Sequence, residues 1–305
     1  ALANNTTGTP NTAIGKEALC CNTTAAYNTS VGYASMCLNT TGAANTALGF
    51  NTMLNNTTAA NNVAVGAYAL DANTEGASNT AVGTSSLGAN TTASNNTAVG
   101  HNALLTNTTS TNNVAVGDSA LKDNTTGSNN TAIGNNALFE NTTASDNTAV
   151  GVNAMLDNTT GTENVAVGKS ALANNTTANE NTAIGFAACD ANTTGARNTG
   201  VGKSALASNS TGSNNTAVGN LALNQVTGDE NIGIGYAAGL SITSGVRNTV
   251  LGIQAYDASD AENDNMAIGY QAMSTNTAGG TLNLAVGNYA LYALTSGDHN
   301  IAVGY

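Results

Sequence analysis

Apolar and polar residues alternate along this chain in one short pattern, Asn, Thr or a larger apolar residue, Ala, then Val, Ile or Leu, then Gly. It reads Asn-Thr-Ala-Val-Gly at residues 96–100 and Asn-Val-Ala-Val-Gly at 113–117. The glycine recurs at 15, 32, 49, 66, 83, 100, 117, 134, 151, 168, 185, 202 and 219, always 17 residues apart. It continues at 235, 252, 269, 287 and 304, with steps of 16, 17, 17, 18 and 17. The chain is therefore 18 copies of one unit, and the repeat decides the fold class before any other feature.

Asn stands four residues before every glycine. In the regular stretch these are Asn11, Asn28, Asn45, Asn62, Asn79, Asn96, Asn113, Asn130, Asn147, Asn164, Asn181, Asn198 and Asn215. Three residues after the glycine comes a small residue, mostly Ala, and then mostly Leu or Met. Seven after it, a second Asn column runs through twelve consecutive copies, Asn22 to Asn209, usually followed by Thr. The Thr/Val alternation before the glycine predicts a strand. The Ala-Leu pair predicts a second short strand, and Asn-Thr-Thr-Gly/Ala is turn chemistry. Two strands and two turns per 17 residues predict one coil of an all-β parallel β-solenoid, or β-roll. The expected organisation is a single repeat solenoid of about 18 coils over 1–305, regular over 1–219 and less regular over 220–305.

Stacked coils place equivalent residues about 4.8 Å apart, so 18 coils would extend roughly 85 Å. The Val and Leu columns are expected to form apolar ladders inside the coils. The two Asn columns are expected at the corners, where side-chain amides bond one another and the turn backbone. The glycine column marks a bend needing an unusual backbone conformation or a close approach. Ala, two residues before the glycine, alternates with Val and is expected to face away from the core. A strip of methyl groups there reads either as tight packing of a flat solenoid wall or as a dry interface with another copy of the chain.

The composition agrees with a thin core: one Pro, no Trp and three Phe in 305 residues. Charged residues are 8% of the chain, and six Lys plus Arg against a net charge of −12 leave no basic stripe for nucleic acid. No apolar run approaches the roughly 20 residues of a membrane span. The chain begins and ends inside a repeat and opens without a signal peptide, which reads as a mature or excised piece of a longer protein.

The repeat resembles the Asn-Ser-Val-Ala-Ile-Gly-type repeats of trimeric autotransporter adhesin heads, the YadA-like family. It is also similar to phage tail-fibre and bacterial surface-protein repeats of the form NTAVGxxALxxNTTG, a pattern nearly met by Asn130 to Ala144, NTAIGNNALFENTTA. The resemblance covers the whole chain. It implies a left-handed parallel β-roll, a trimer and an adhesive or structural role.

Candidate chemistry is sparse. His101 and His299 lie many coils apart and read as solvent-facing. Asp257, Asp260, Glu262 and Asp264 form the one local acidic cluster, which reads as a solvated turn or a calcium site lacking the usual loop spacing. Cys20 and Cys37 occupy the same column in adjacent copies, so a disulfide between them is geometrically open, as is a plain pair of small side chains. Cys189 falls in the Leu column and should be a buried thiol. Asn107, Asn124 and Asn141 match the glycosylation pattern, but an Asn ladder accounts for that column without sugar. Tyr236, Tyr270, Tyr289 and Tyr305 should face outward, as ordinary surface Tyr or a carbohydrate-binding strip.

These features predict a non-catalytic shaft or head of an extracellular, cell-surface or virion fibre, with no cofactor or metal. Its partners would be itself, as homotrimer or end-to-end assembly, and a host-surface carbohydrate or protein. The alternatives are an ice-binding solenoid, suggested by the Thr columns, and a single-chain subunit stacking head to tail. An enzyme would need a break in the repeat with converging acids or bases.

Overall fold

The computed structural model describes residues 1–258, 261–275 and 280–305. Every copy contributes one three-residue strand, from Thr12–Ile14 to Ile301–Val303, and no helix occurs among the described residues. The chain divides into two compact units, Ala1–Val152 and Asn153–Tyr305, each a parallel β-solenoid with nine strands. In the first, the strand at Thr97–Val99 pairs with the next as Thr97↔Val114, Ala98↔Ala115 and Val99↔Val116. In the second, the 16- and 18-residue steps keep the same pairing, Thr216↔Ile232 and Met266↔Leu284. The 16-residue step is one residue short between Val226 and Asn231, and after both steps the Asn before the strand keeps its place.

The Ala-Leu segment is not the second strand expected of it. Its Leu or Met has positive φ, near 50° at Met36, Met53 and Leu87, and the residue two before it does too. Alternate left-handed residues curl the chain into an arc, where an extended strand would run straight. The coils remain joined there: the Leu19 N–H donates to Ser35 O, and the Cys21 N–H to Cys37 O, both at 3.0 Å.

The faces of the strand are the reverse of the expectation. Ala47, Ala64, Ala98 and Ala115 are completely buried, whereas the Val, Ile and Leu residues beside them point outward. Ile14 is 61% exposed and Leu48 47%. Residues two apart share a face of a strand, so Ala faces the same way as the inward-facing Asn before it. Leu70, Leu87 and Leu104 fill the opposite wall with no exposure. The coil is too narrow to hold a large side chain on both walls. The exceptions are matched: Gly200 leaves room for Cys189 Sγ, and Gly233 for the Leu223 side chain.

Glycine before the arc is required by geometry. Its φ lies at +140° in Gly100, and a Cβ there would sit 2.3 Å from the Gly117 carbonyl oxygen of the next coil. The backbones approach too closely there for any side chain.

Candidate functional site

The inward side chains make two hydrogen-bonded ladders. In the column four residues before the glycine, the Asn79 backbone N–H donates to Asn62 Oδ1 at 2.8 Å, and the Asn62 N–H to Asn45 Oδ1 at 2.9 Å. In the second column, side chain bonds side chain: Asn73 Nδ2 donates to Asn56 Oδ1 at 3.1 Å, and Asn90 Nδ2 to Asn73 Oδ1 at 2.9 Å. Both columns converge on one turn carbonyl per coil. Gly76 O accepts from Asn62 Nδ2 at 2.9 Å and from Asn73 Nδ2 at 3.0 Å. Each amide thereby satisfies backbone that the turn leaves unpaired in a buried site. Asn107, Asn124 and Asn141 belong to the second ladder and are fully buried, so the glycosylation pattern falls on inward side chains.

The outer sheet face carries two columns, Thr or an apolar residue and then Val, Ile or Leu, with no charged residue in any of the 18 copies. None of these side chains is buried. In Ala1–Val152 the outer Thr residues are Thr12, Thr29, Thr46, Thr80, Thr97, Thr131 and Thr148, interrupted by Val63 and Val114. The Thr following the second Asn ladder is instead committed to the backbone: Thr57 Oγ1 donates to Thr74 O at 3.1 Å.

Of the outward Tyr residues, Tyr236, Tyr270, Tyr289 and Tyr305 are all exposed. Tyr270 and Tyr289 meet edge to face, with centroids 5.3 Å apart. A second aromatic row was overlooked at the sequence level, although it lies in the same one or two positions after the glycine. Tyr33 stacks on Phe50 at 5.5 Å, Phe50 meets Tyr68 at 5.4 Å, and Lys16 Nζ lies 5.6 Å from the Tyr33 ring.

Among the described residues the predicted acidic cluster is not brought together. Asp257 accepts a hydrogen bond from Ser274 Oγ at 2.6 Å, while Asp264 turns to Arg247, bonded at 2.6 and 2.8 Å. Glu262 is buried, and Asp260 lies outside the described residues. His101 Nδ1 lies 2.9 Å from Asp118 Oδ1 on the exposed surface.

The cysteines are free thiols. Cys189 is fully buried in the Leu column, and desolvation pushes its pKa up to about 12. Cys20, Cys21 and Cys37 are half-buried, with all three Sγ atoms within 4.8 Å of one another. Among the described residues this is the only such group of three His, Cys, Asp or Glu side chains. Burial raises the Cys20 and Cys21 pKa values, and a hydrogen bond to a neighbouring thiol raises each further.

No protein-family model matches the chain, and no curated protein matches it.

Proposed function

We propose that the chain is a structural solenoid of an extracellular fibre or surface adhesin, and that its copies associate through the outer sheet face. The observation that carries this reading is the uncharged outer row, partly exposed Val, Ile and Leu repeated in every coil beside Thr or a second apolar residue. A partner with the same coil-to-coil spacing matches such a row along its length, and a second copy of this chain has that spacing. Three copies is the number that the resemblance to trimeric adhesin heads implies. The Ala column, first expected to make the contact, is occupied inside each coil.

Covering a half-exposed Val or Ile contributes about 1 kcal/mol. The nine of one unit contribute roughly 9 kcal/mol, within the ~4–15 kcal/mol that association costs in lost freedom. Assembly therefore depends on length, and repetition serves it. Light scattering after size exclusion tests this. The expected mass is near three times the 30.0 kDa chain, falling to one chain when Val99→Asp and Val116→Asp are combined, with β-sheet circular dichroism retained. A native chain of single mass overturns the reading. Rods of variable length in electron micrographs would replace it with end-to-end stacking.

A second reading, ice binding, is favoured by the outward Thr column of Ala1–Val152, seven hydroxyl-and-methyl side chains at strand spacing. Thermal hysteresis in solutions of the chain supports it, and its absence at millimolar concentration removes it.

A further inference from the structure

We propose that Cys20, Cys21 and Cys37 form a three-thiolate site for a soft, thiophilic metal ion of the Zn²⁺ class, with solvent completing its coordination. Cys20 and Cys37 are stacked equivalents in adjacent coils, and Cys21 follows Cys20 in the chain. Leu19 and Met36, immediately before the stacked pair, are locked in left-handed conformation, φ 52° and 50°, and completely buried. The thiols are thus held by a rigid arc. Cys20 and Cys21 Sγ lie 3.7 Å apart, and no pair of the three exceeds 4.8 Å. An ion bound at about 2.3 Å from each sulfur holds its thiolates about 3.8–4.0 Å apart. The trio needs only small rotamer changes to reach that spacing.

Three further observations favour a ligand. The positions are not ones that packing assigns to sulfur. In other coils they hold Leu54, Asp71, Lys122 and Phe139, or Asn55 and Asp123, so a thiol there fills no structural requirement. Cys189 is the contrast, a thiol in a packing column. The trio is half-buried, open enough for an ion to enter and dry enough to hold it. Glu17 adds negative charge beside Cys20, a field that favours a cation. A disulfide would use two sulfurs and leave the third beside it to attack, whereas a metal ion uses all three. Binding replaces each thiol proton with a bond to the ion, so up to three protons leave per ion bound and affinity rises with pH.

The test is titration of the reduced full chain with Cd²⁺, followed by its thiolate charge-transfer absorption, and competition of that signal by Zn²⁺. The expected result is one ion per chain, displaced by Zn²⁺, with tighter binding at pH 8 than at pH 6. Cys20→Ser, Cys21→Ser and Cys37→Ser should each weaken binding by about tenfold or more, while Cys189→Ala leaves it unchanged. Circular dichroism of each variant checks that the coils remain. Absence of the absorption band, or binding that survives all three Ser substitutions, overturns the proposal. A disulfide within the trio that standard thiol reductants do not open overturns it as well.

Discussion

The coils of Ala1–Val152 carry Asn at both inward turn positions, whereas in Asn153–Tyr305 the unbroken run of Asn in the second column ends at Asn209. Beyond it the column reads Val226, Ile242, Ser259, Asn276 and Leu294; among the described residues Val226 and Ile242 are completely buried. The first column never changes. The difference lies in what each amide holds. The first-column Oδ1 accepts a backbone N–H of the next coil, which apolar side chains cannot do. The second-column Oδ1 mainly serves another side chain, and adjacent coils can turn apolar together, as at Val226 and Ile242. Where it does, the first column spreads its donors: Asn248 Nδ2 reaches both Glu262 O at 2.8 Å and Asn231 Oδ1 at 3.1 Å. The boundary is less well satisfied. Asn209 takes the Gly212 N–H on its own Oδ1, and Asn192 Oδ1 is left buried without a partner.

The largest effect is expected where both units agree, at the glycine before the arc. Gly100→Ala forces a Cβ to 2.3 Å from Gly117 O at φ +140°, and should cost about 4 kcal/mol or more. Gly76→Ala is the control. Its added Cβ also starts close, 2.2 Å from Ala93 O, but its φ is ordinary, and the flanking coils carry Ala59 and Ala93 at the same place. A slight backbone shift accommodates it, so the cost should stay below about 1 kcal/mol. Urea unfolding of the two variants checks the contrast; equal losses would mean that space, and not backbone conformation, selects glycine.

Next in size is the contrast between the ladders. Asn62→Ala strands the buried Asn79 N–H and should cost about 3 kcal/mol. Asn73→Val leaves Gly76 O still bonded to Asn62 Nδ2 at 2.9 Å and should cost about 1 kcal/mol, chiefly through the orphaned Asn56 Oδ1. Replacing Asn56, Asn73 and Asn90 together by Val should cost less than three times the single change, because internal orphans disappear in pairs. Strictly additive losses would break the account of why the second column could turn apolar at Val226 and Ile242.

The repeat made the fold legible, because a fixed 17-residue period with one strand pattern leaves little besides a parallel solenoid. The Asn ladders were legible too, since stacking follows from the period. What misled was side-chain size. Val outranks Ala as a core residue, so the Val column seemed to belong inside, yet the coil has room for a large side chain only on the Leu wall. Parity held the signal: an inward Asn four before the glycine commits the Ala two before it to the same face. The arc was hidden because Leu gives no sign of a left-handed backbone; only packing against two neighbouring coils imposes it. The thiol trio needed three dimensions, since Cys21 is no repeat equivalent of the other two.

A smaller effect should be common to both units. Asp71 and Asp190 stand at the same place in the repeat, and burial raises the pKa of each. A carboxyl raised on folding is unfavourable when ionised, so its cost is present at neutral pH and disappears as pH falls through the folded pKa. Asp71→Asn and Asp190→Asn should each raise the urea midpoint slightly at pH 7. The gain should vanish near pH 3, where the acid is neutral in both folded and unfolded chains. A gain that persists at pH 3 would point to packing instead of ionisation.

The smallest effect belongs to the exposed residue just before the first Asn ladder, where the units differ in charge. In Ala1–Val152 this position is mostly uncharged, as at Asn95, Asn112 and Asn129, whereas Asn153–Tyr305 places Glu163, Glu180, Arg197, Glu230, Arg247 and Asp264 there. Arg247 bonds Asp264 across one coil step through both nitrogens of its fork, and those hydrogen bonds hold the Asp264 carboxyl below its usual pKa. A depressed carboxyl contributes stability above its unfolded pKa and loses it as pH falls through the folded value. Arg247→Ala should therefore lower the urea midpoint marginally at pH 7 and not at all at pH 2. The difference should also shrink in 1 M salt, since solvent and ions screen a surface pair. A difference that persists at both extremes would mean that the Arg247 stem packs along the coil, and that charge at this position is incidental to the stability of the unit.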